Sequence, residues 1–303
     1  MTPRLSASCP DLVLLGTSSG SFYSVETALP GQDGATIAGA RARSHDLIRS
    51  AQRFITDWQQ ASLVRPTGGP APWEKPFQFA VDRVARLAAA VGESGRYCQL
   101  AAHVEHQLAA QELPSVYAHG NFWLGNVLFG ADDRVTGVID WDCTTERALP
   151  TVDLIYLLVR TYSLTRHISF GEAIADWIDA ESVPLLDDCL AHHCRELSVA
   201  TELIDSLSYC AWIQHLETHC RFGTSASSDA RWLDRNVRQV LHRWHVRAGS
   251  GRLKATRWGK PMSIGRRRPL APVTASKVFQ QRGNETKGSG SAEFARTRLR
   301  VSR

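Results

Sequence analysis

His119, Asn121, Asn126 and Asp140 are the residues whose types and spacing could do chemistry. They lie in Tyr117-Ala-His119-Gly120-Asn121-Phe-Trp-Leu-Gly-Asn126-Val-Leu-Phe, followed shortly by Gly137-Val-Ile-Asp140-Trp141-Asp142. A polar loop presents His119, Asn121 and Asn126, and an apolar run then ends in Asp140. If the two apolar runs form a hairpin, Asn126 and Asp140 meet at one end of the ribbon. An amide oxygen beside a carboxylate is a donor set for a hard cation such as Mg²⁺. The same two residues also serve as ordinary turn and capping groups, and taken alone that is the reading they favour.

The elements that must position these residues follow from periodicity. Asp11 to Leu29 reads as two short strands around a Gly/Ser turn, ended by Pro30-Gly31-Gln32-Asp33-Gly34. Gly16 to Gly20 could be taken for a phosphate loop, but its place between two strands favours a turn. Leu47, Ala51, Phe54, Ile55 and Trp58 fall on one helical face, and further helices are expected over 75–91 and 96–111. Between Ser115 and Trp141 the period becomes that of strands. Val127–Phe129 and Val135–Ile139 should pair through the turn Gly130-Ala131-Asp132-Asp133. After Pro150 the pattern is helical over 151–163, 170–179, 183–196, 200–219 and 229–246. Beyond Gly249 it ends in Gly, Ser, Arg and Lys, a composition that does not fold alone.

Taken together, the motifs resemble the signature of the aminoglycoside phosphotransferase and choline kinase family, HGDxxxxN followed by an apolar strand and IDW[DE]. The match is at His119, Gly120, Asn126, Ile139, Asp140, Trp141 and Asp142, and it continues at Pro150 and Asp153-Leu154. Upstream, Phe22 to Glu26 and Leu29-Pro30-Gly31 are similar to the family's hinge strand and its exit, so the resemblance spans about residues 10 to 245. It implies an α+β, protein-kinase-like fold: mostly the helical C-terminal lobe with an embedded β-hairpin and a remnant of the N-terminal β lobe. The implied divisions are 1–34 for the nucleotide-lobe remnant and hinge, 35–249 for the helical lobe, and 250–303 for a basic, unstructured tail. The implied activity is ATP-dependent phosphorylation of a hydroxyl on a small metabolite or aminoglycoside-like compound. By resemblance, Asn126 and Asp140 would hold Mg²⁺, His119 would keep the loop in shape, Asp153 would anchor it, and the backbone of Glu26, Ala28 and Leu29 would meet the adenine of ATP.

Two departures bear on activity. The family's catalytic Asp falls at position 121, which here is Asn, and an amide accepts a hydrogen bond but does not take a proton at neutral pH. Only about ten residues precede the hinge hairpin, and no Lys occurs before Lys75, so a glycine-rich loop and its phosphate-binding Lys are not found. The resemblance then implies either a start further upstream or a decayed or specialised fragment. A pseudokinase-like binding module is accordingly the alternative to a phosphotransferase.

Bulk properties narrow the remaining classes. No run approaches the roughly 18 apolar residues that a membrane-spanning helix needs, and the N-terminus lacks a signal-peptide core, so a cytoplasmic protein with no membrane partner is expected. The seven cysteines have no Cys-x-x-Cys unit. His192, His193, Cys194 and Cys189, with His215, His219 and Cys220, are read as packing groups rather than a zinc site. From Arg252 onward, 14 Lys or Arg stand against Glu285 and Glu293, which makes the tail +12 and leaves −7 on the body. Arg266-Arg267-Arg268 lacks interleaved aromatics, so the tail is expected to be solvated rather than bound to nucleic acid. Asp187, Asp188, Glu196, Glu202 and Asp205 could face a cationic acceptor, but solvated helix faces account for the same charges and are the favoured reading.

Overall fold

The computed structural model describes residues 8–18, 21–40, 44–66, 71–179, 184–222, 229–250 and 297–301. Their contacts divide the chain into two units. One comprises 1–11 with 29–259, and the other 12–28 with 260–303.

The smaller unit is an antiparallel sheet of β1 (Leu12–Ser18), β2 (Ser21–Thr27) and β8 (Thr297–Val301), in the order β1-β2-β8. Tyr23 to Thr27 pair with Val301 to Thr297. The composition of the tail leads to no element there, so this five-residue strand is a difference from the sequence pattern. The rest of the tail, including Arg266 to Arg268, lies outside the described residues. Gly16 to Ser18 belong to β1, and the turn expected at residues 19 and 20 is outside them too.

The larger unit is mainly helical and begins with β3 (Gln32–Asp33) and α1 (Gly34–Ala40). Asp33 caps α1, because its carboxylate accepts from the Thr36 amide and hydroxyl, both at 2.8 Å. Next come α2 (Ser44–Ala61), α3 (Glu74–Ala90) and α4 (Ser94–Ala109). The buried face of α2 carries Leu47, Ile48, Ala51, Ile55 and Trp58, the stripe its spacing predicts. A short strand β4 (Val116–Ala118) pairs with β7 (Thr145–Ala148), and β5 (Val127–Phe129) forms a hairpin with β6 (Val135–Val138). The hairpin register pairs Val127 with Val138 and Leu128 with Gly137, while β3 pairs with the outer edge of β5.

The helices α5 (Val152–Arg166), α6 (Phe170–Asp179), α7 (Pro184–Leu197) and α8 (Ile204–Arg221) then follow. Helix α5 reads apolar all round, Leu-Ile-Tyr-Leu-Leu-Val, because neighbours cover it on all sides, and Leu154 to Val159 are buried. Ser169 and Glu172 form a reciprocal cap at the start of α6, the serine hydroxyl accepting from the Glu172 amide and the carboxylate from the Ser169 amide. The chain closes with α9 (Ala230–Leu233), a π-helical turn over Asp234–Arg238, and α10 (Gln239–Gly249). Among the described residues no helix is long and apolar enough to cross a membrane. The architecture is thus α+β, mostly helical, with small sheets and an embedded hairpin.

Candidate functional site

The loop between β4 and β5 is held from below by one carboxylate. Asp153, in the first turn of α5, is fully buried and accepts from the amides of His119 (2.8 Å) and Gly120 (3.0 Å). Burial pushes its carboxyl upward, while His119, those two amides and Gln59 pull it back. Gln59 Nε2 approaches the same carboxylate at 3.4 Å, and its Oε1 accepts from the Thr151 amide at 3.2 Å.

That orientation of Gln59 fixes protons further away. His193 Nε2, 3.2 Å from Gln59 Oε1, must carry the hydrogen, which leaves His193 Nδ1 as an acceptor for the Thr56 hydroxyl at 2.7 Å. The ring is fully buried, and its pKa is pushed down to about 3, chiefly by burial and further by neighbouring His192. The sign follows. Above the ordinary pKa of about 6.5 the ring is neutral whether folded or unfolded, and between 6.5 and 3 only the unfolded chain takes the proton. His193 therefore costs about 2 kcal/mol of folding stability at pH 5 relative to neutral pH. Urea unfolding measured from pH 7.5 to 5 should show this loss, with a shallower slope in His193→Leu. An equal slope in the variant would refute the assignment.

The His119 ring is also completely buried. Its Nδ1 accepts from the Asn121 amide (3.2 Å), so Nε2 carries the proton and donates to the Ile139 carbonyl (3.0 Å). Burial lowers its pKa, which keeps the ring neutral and suits it to brace the loop rather than to exchange protons. The ring packs against Trp141 at 4.5 Å between centroids, and Trp141 packs against Trp58 at 4.8 Å. Trp58 in turn donates its indole N–H to the Tyr117 carbonyl at 3.0 Å.

Gly120 makes the turn that delivers Asn121. Its φ is +83°, and a Cβ there would collide with the Cys143 carbonyl. Gln214 of α8 donates to the Gly120 carbonyl. Gly120→Ala should cost about 2 kcal/mol or more, from left-handed strain plus the collision, and should displace the loop. Denaturant unfolding that matched the parent protein would refute this.

At the hairpin's end, Asn126 is 6% exposed. Its Nδ2 donates to the Asn121 carbonyl at 2.9 Å and lies 3.4 Å from Asp140 Oδ2. With the amide nitrogen so engaged, the amide oxygen of Asn126 is the atom left to act as a ligand. Asp140, separated from the end of β6 by Ile139, sits at φ 73°, ψ 54°, a left-handed conformation that an Asp adopts at turns. The Asn126 amide oxygen and the Asp140 carboxylate are the kinds of oxygen donor that Mg²⁺ takes.

A family model described as the phosphotransferase enzyme family matches residues 3–187. The chain belongs to that family. No curated protein matches the chain in sequence. Among solved structures, this phosphotransferase-family chain is similar to a type VIII aminoglycoside-3'-phosphotransferase, with 20% identity over 70% of this chain and 75% of that one and a TM-score of 0.43. It is also similar to an aminoglycoside phosphotransferase from Streptomyces rimosus solved with ADP and streptomycin, with 17% identity over 71% and 77% and a TM-score of 0.43. A third is an aminoglycoside 2'-phosphotransferase of type IIIa in complex with GDP, with 15% identity over 82% and 78% and a TM-score of 0.48.

In this phosphotransferase-family chain, His119, Asn121, Asn126 and Asp140 come together, with Asp153 beneath them. Leu29 lies apart from them, over β6, where a Cβ on Gly137 would be 2.6 Å from its side chain. Glu26 and Ala28 belong to the smaller unit. The possible zinc ligands have other partners: His193 bonds Thr56 and Gln59, and His215 stacks on Phe170 at 4.2 Å. Among the described residues no three His, Cys, Asp or Glu side chains converge on a metal position. Asp205 pairs with Arg247 at 3.0 Å rather than facing an acceptor. The supporting residues Gln59 and Gln214 were not anticipated. For Gln59 a signal existed, since Gln52, Thr56 and Gln59 form a polar stripe at helical spacing beside the apolar one.

Proposed function

We propose that this protein transfers the γ-phosphoryl group of ATP to a hydroxyl of a small molecule, with Mg²⁺ held by Asn126 and Asp140. The observation that carries the reading is the juxtaposition of those two side chains at the hairpin's end, beneath a loop clamped by Asp153, in a chain of the phosphotransferase family. Bound there, Mg²⁺ would neutralise charge on the phosphates. The acceptor oxygen bonds to the γ-phosphorus as the bond to ADP breaks, and the hydroxyl proton leaves late, to an oxygen of the transferred group. Asn121 accepts a hydrogen bond from that hydroxyl and orients it. His119 and Asp153 keep Asn121 in place. We assign the reaction to the cytoplasm, where free thiols such as those of this chain stay reduced.

Calorimetric titration of the full chain with ATP tests the reading. Binding should require Mg²⁺ and weaken at least tenfold in Asp140→Asn. Binding indifferent to both the metal and the substitution would end the proposal. Asn at position 121 favours a second reading, a pseudokinase-like module that binds ligand without turnover.

A further inference from the structure

Helix α2 buries three polar side chains at helical spacing, Gln52, Thr56 and Gln59, beside its apolar stripe. A buried amide or hydroxyl costs stability unless its groups are bonded, and an apolar residue avoids that demand. Gln59 is fully buried and joins three helices. Its Oε1 accepts from the Thr151 amide at the start of α5 and from His193 Nε2 of α7, both at 3.2 Å. Its Nε2 donates to Asp153 Oδ2 at 3.4 Å. That same oxygen holds the His119 amide, while Oδ1 holds Gly120.

Two neighbours grip the strand that enters the loop. Trp58 donates to the Tyr117 carbonyl at 3.0 Å, and the Ser62 hydroxyl accepts from the Tyr117 amide at 3.1 Å. The end of α2 thus meets the chain before the loop, and Gln59 meets the carboxylate beneath it. Thr151 has a φ of 73°, a left-handed conformation that is uncommon for a β-branched residue, just where the chain enters α5. Its bond to Gln59 supports that entry.

The chemistry asked of position 59 is narrow. The side chain must donate toward a carboxylate and accept from two N–H groups. A primary amide does both, a hydrocarbon does neither, and a carboxylate would oppose Asp153 charge to charge. A carboxylic acid donates through its hydroxyl and accepts through its carbonyl, and so imitates the amide only while protonated.

We propose that Gln59 is the positioning residue of the loop, setting through Asp153 and Thr151 where His119, Gly120 and hence Asn121 stand. Its consequence for phosphoryl transfer rests on the phosphotransferase reading, whereas its hold on the loop does not. The titratable groups around Gln59 and Asp153 are His119, His193 and the Cys194 thiol beside Thr151. Burial keeps all three uncharged, so none of them offsets a second carboxylate there.

Amide exchange at His119 and Gly120, compared with the parent chain at the same pH, is the test. Gln59→Leu should speed both about tenfold or more, the loss of a hydrogen bond to a charged group. Gln59→Glu should stay within about threefold of the parent at pH 6, where the new carboxyl and Asp153 share a proton. At pH 9 that proton is gone, and exchange should be about tenfold faster or more. Gln52→Leu removes a buried amide that bonds Thr56 and His192 instead, and should leave both amides unchanged. If Gln59→Leu does not fold, Gln59→Glu carries the test from pH 6 upward. Parental exchange in Gln59→Leu, equal acceleration in Gln52→Leu, or a Gln59→Glu profile parallel to the parent's would overturn the proposal. Mg²⁺-dependent ATP binding, measured on the same proteins, separates the two readings. Its absence in the parent, with the exchange pattern intact, removes the transferase and leaves the positioning role. ATP binding with both amides indifferent to position 59 removes only the positioning role.

Discussion

Asn121→Asp raises the rate of phosphoryl transfer by about 10²–10⁴-fold, the usual worth of a general base. The expectation rests on how residue 121 is placed. Its amide donates to His119 Nδ1 and its carbonyl accepts from Asn126 Nδ2, so both contacts that fix it belong to the backbone. A carboxylate can replace the side-chain amide without disturbing either bond. The new group can accept the hydroxyl proton, which the amide cannot. A loose transition state calls for proton removal late, and the parent chain should therefore retain slow turnover rather than none. Release of labelled phosphate or its transfer to a hydroxyl acceptor from labelled ATP would measure the gain. An unchanged rate in a variant that still binds ATP would favour the binding-module reading instead.

The second large effect is at Asp153. Asp153→Asn removes one acceptor from the pair of backbone amides that this carboxylate holds, and it turns an NH₂ group toward a donor. A buried donor left unpaired costs about 1–3 kcal/mol, and breaking this three-donor cluster should cost about 3 kcal/mol in all. Because those amides belong to His119 and Gly120, the damage falls on the loop itself. Transfer should drop at least a hundredfold, with faster amide exchange at Gly120. A variant as stable as the parent, with Gly120 exchange unaltered, would contradict the role given to Asp153.

Much of the scaffold was legible from periodicity because its driving force is local. The stripe from Leu47 to Trp58 sets α2, and the Gly-Ala-Asp-Asp turn sets the register that brings Asn126 to Asp140. Strand β7 was not legible. Thr145 to Ala148 is polar and largely exposed, and it is a strand only because β4 lies alongside. Helix α1 was missed for a related reason. Its Gly-Ala-Thr-Ile-Ala-Gly-Ala sequence has weak intrinsic preference, and a cap from Asp33 supports it. At the site, motif residues could be found in the sequence because their chemistry is conspicuous. Gln214 was hidden, because a glutamine on α8 looks like any solvated residue. The acidic residues from Asp187 to Asp205 read chiefly as solvated helix faces, since charge on a helix does not reveal which way the helix faces, and Asp205 proves to pair with Arg247.

The packing of Trp141 on Trp58 has an optical consequence. Two indoles whose ring centres are 4.8 Å apart share their electronic transitions, and one of them immediately follows Asp140 while also touching His119. Any shift of the loop changes the coupling between these chromophores. The near-ultraviolet dichroism of the unlabelled protein is thus a built-in gauge of whether the loop from His119 to Asn126 is in place.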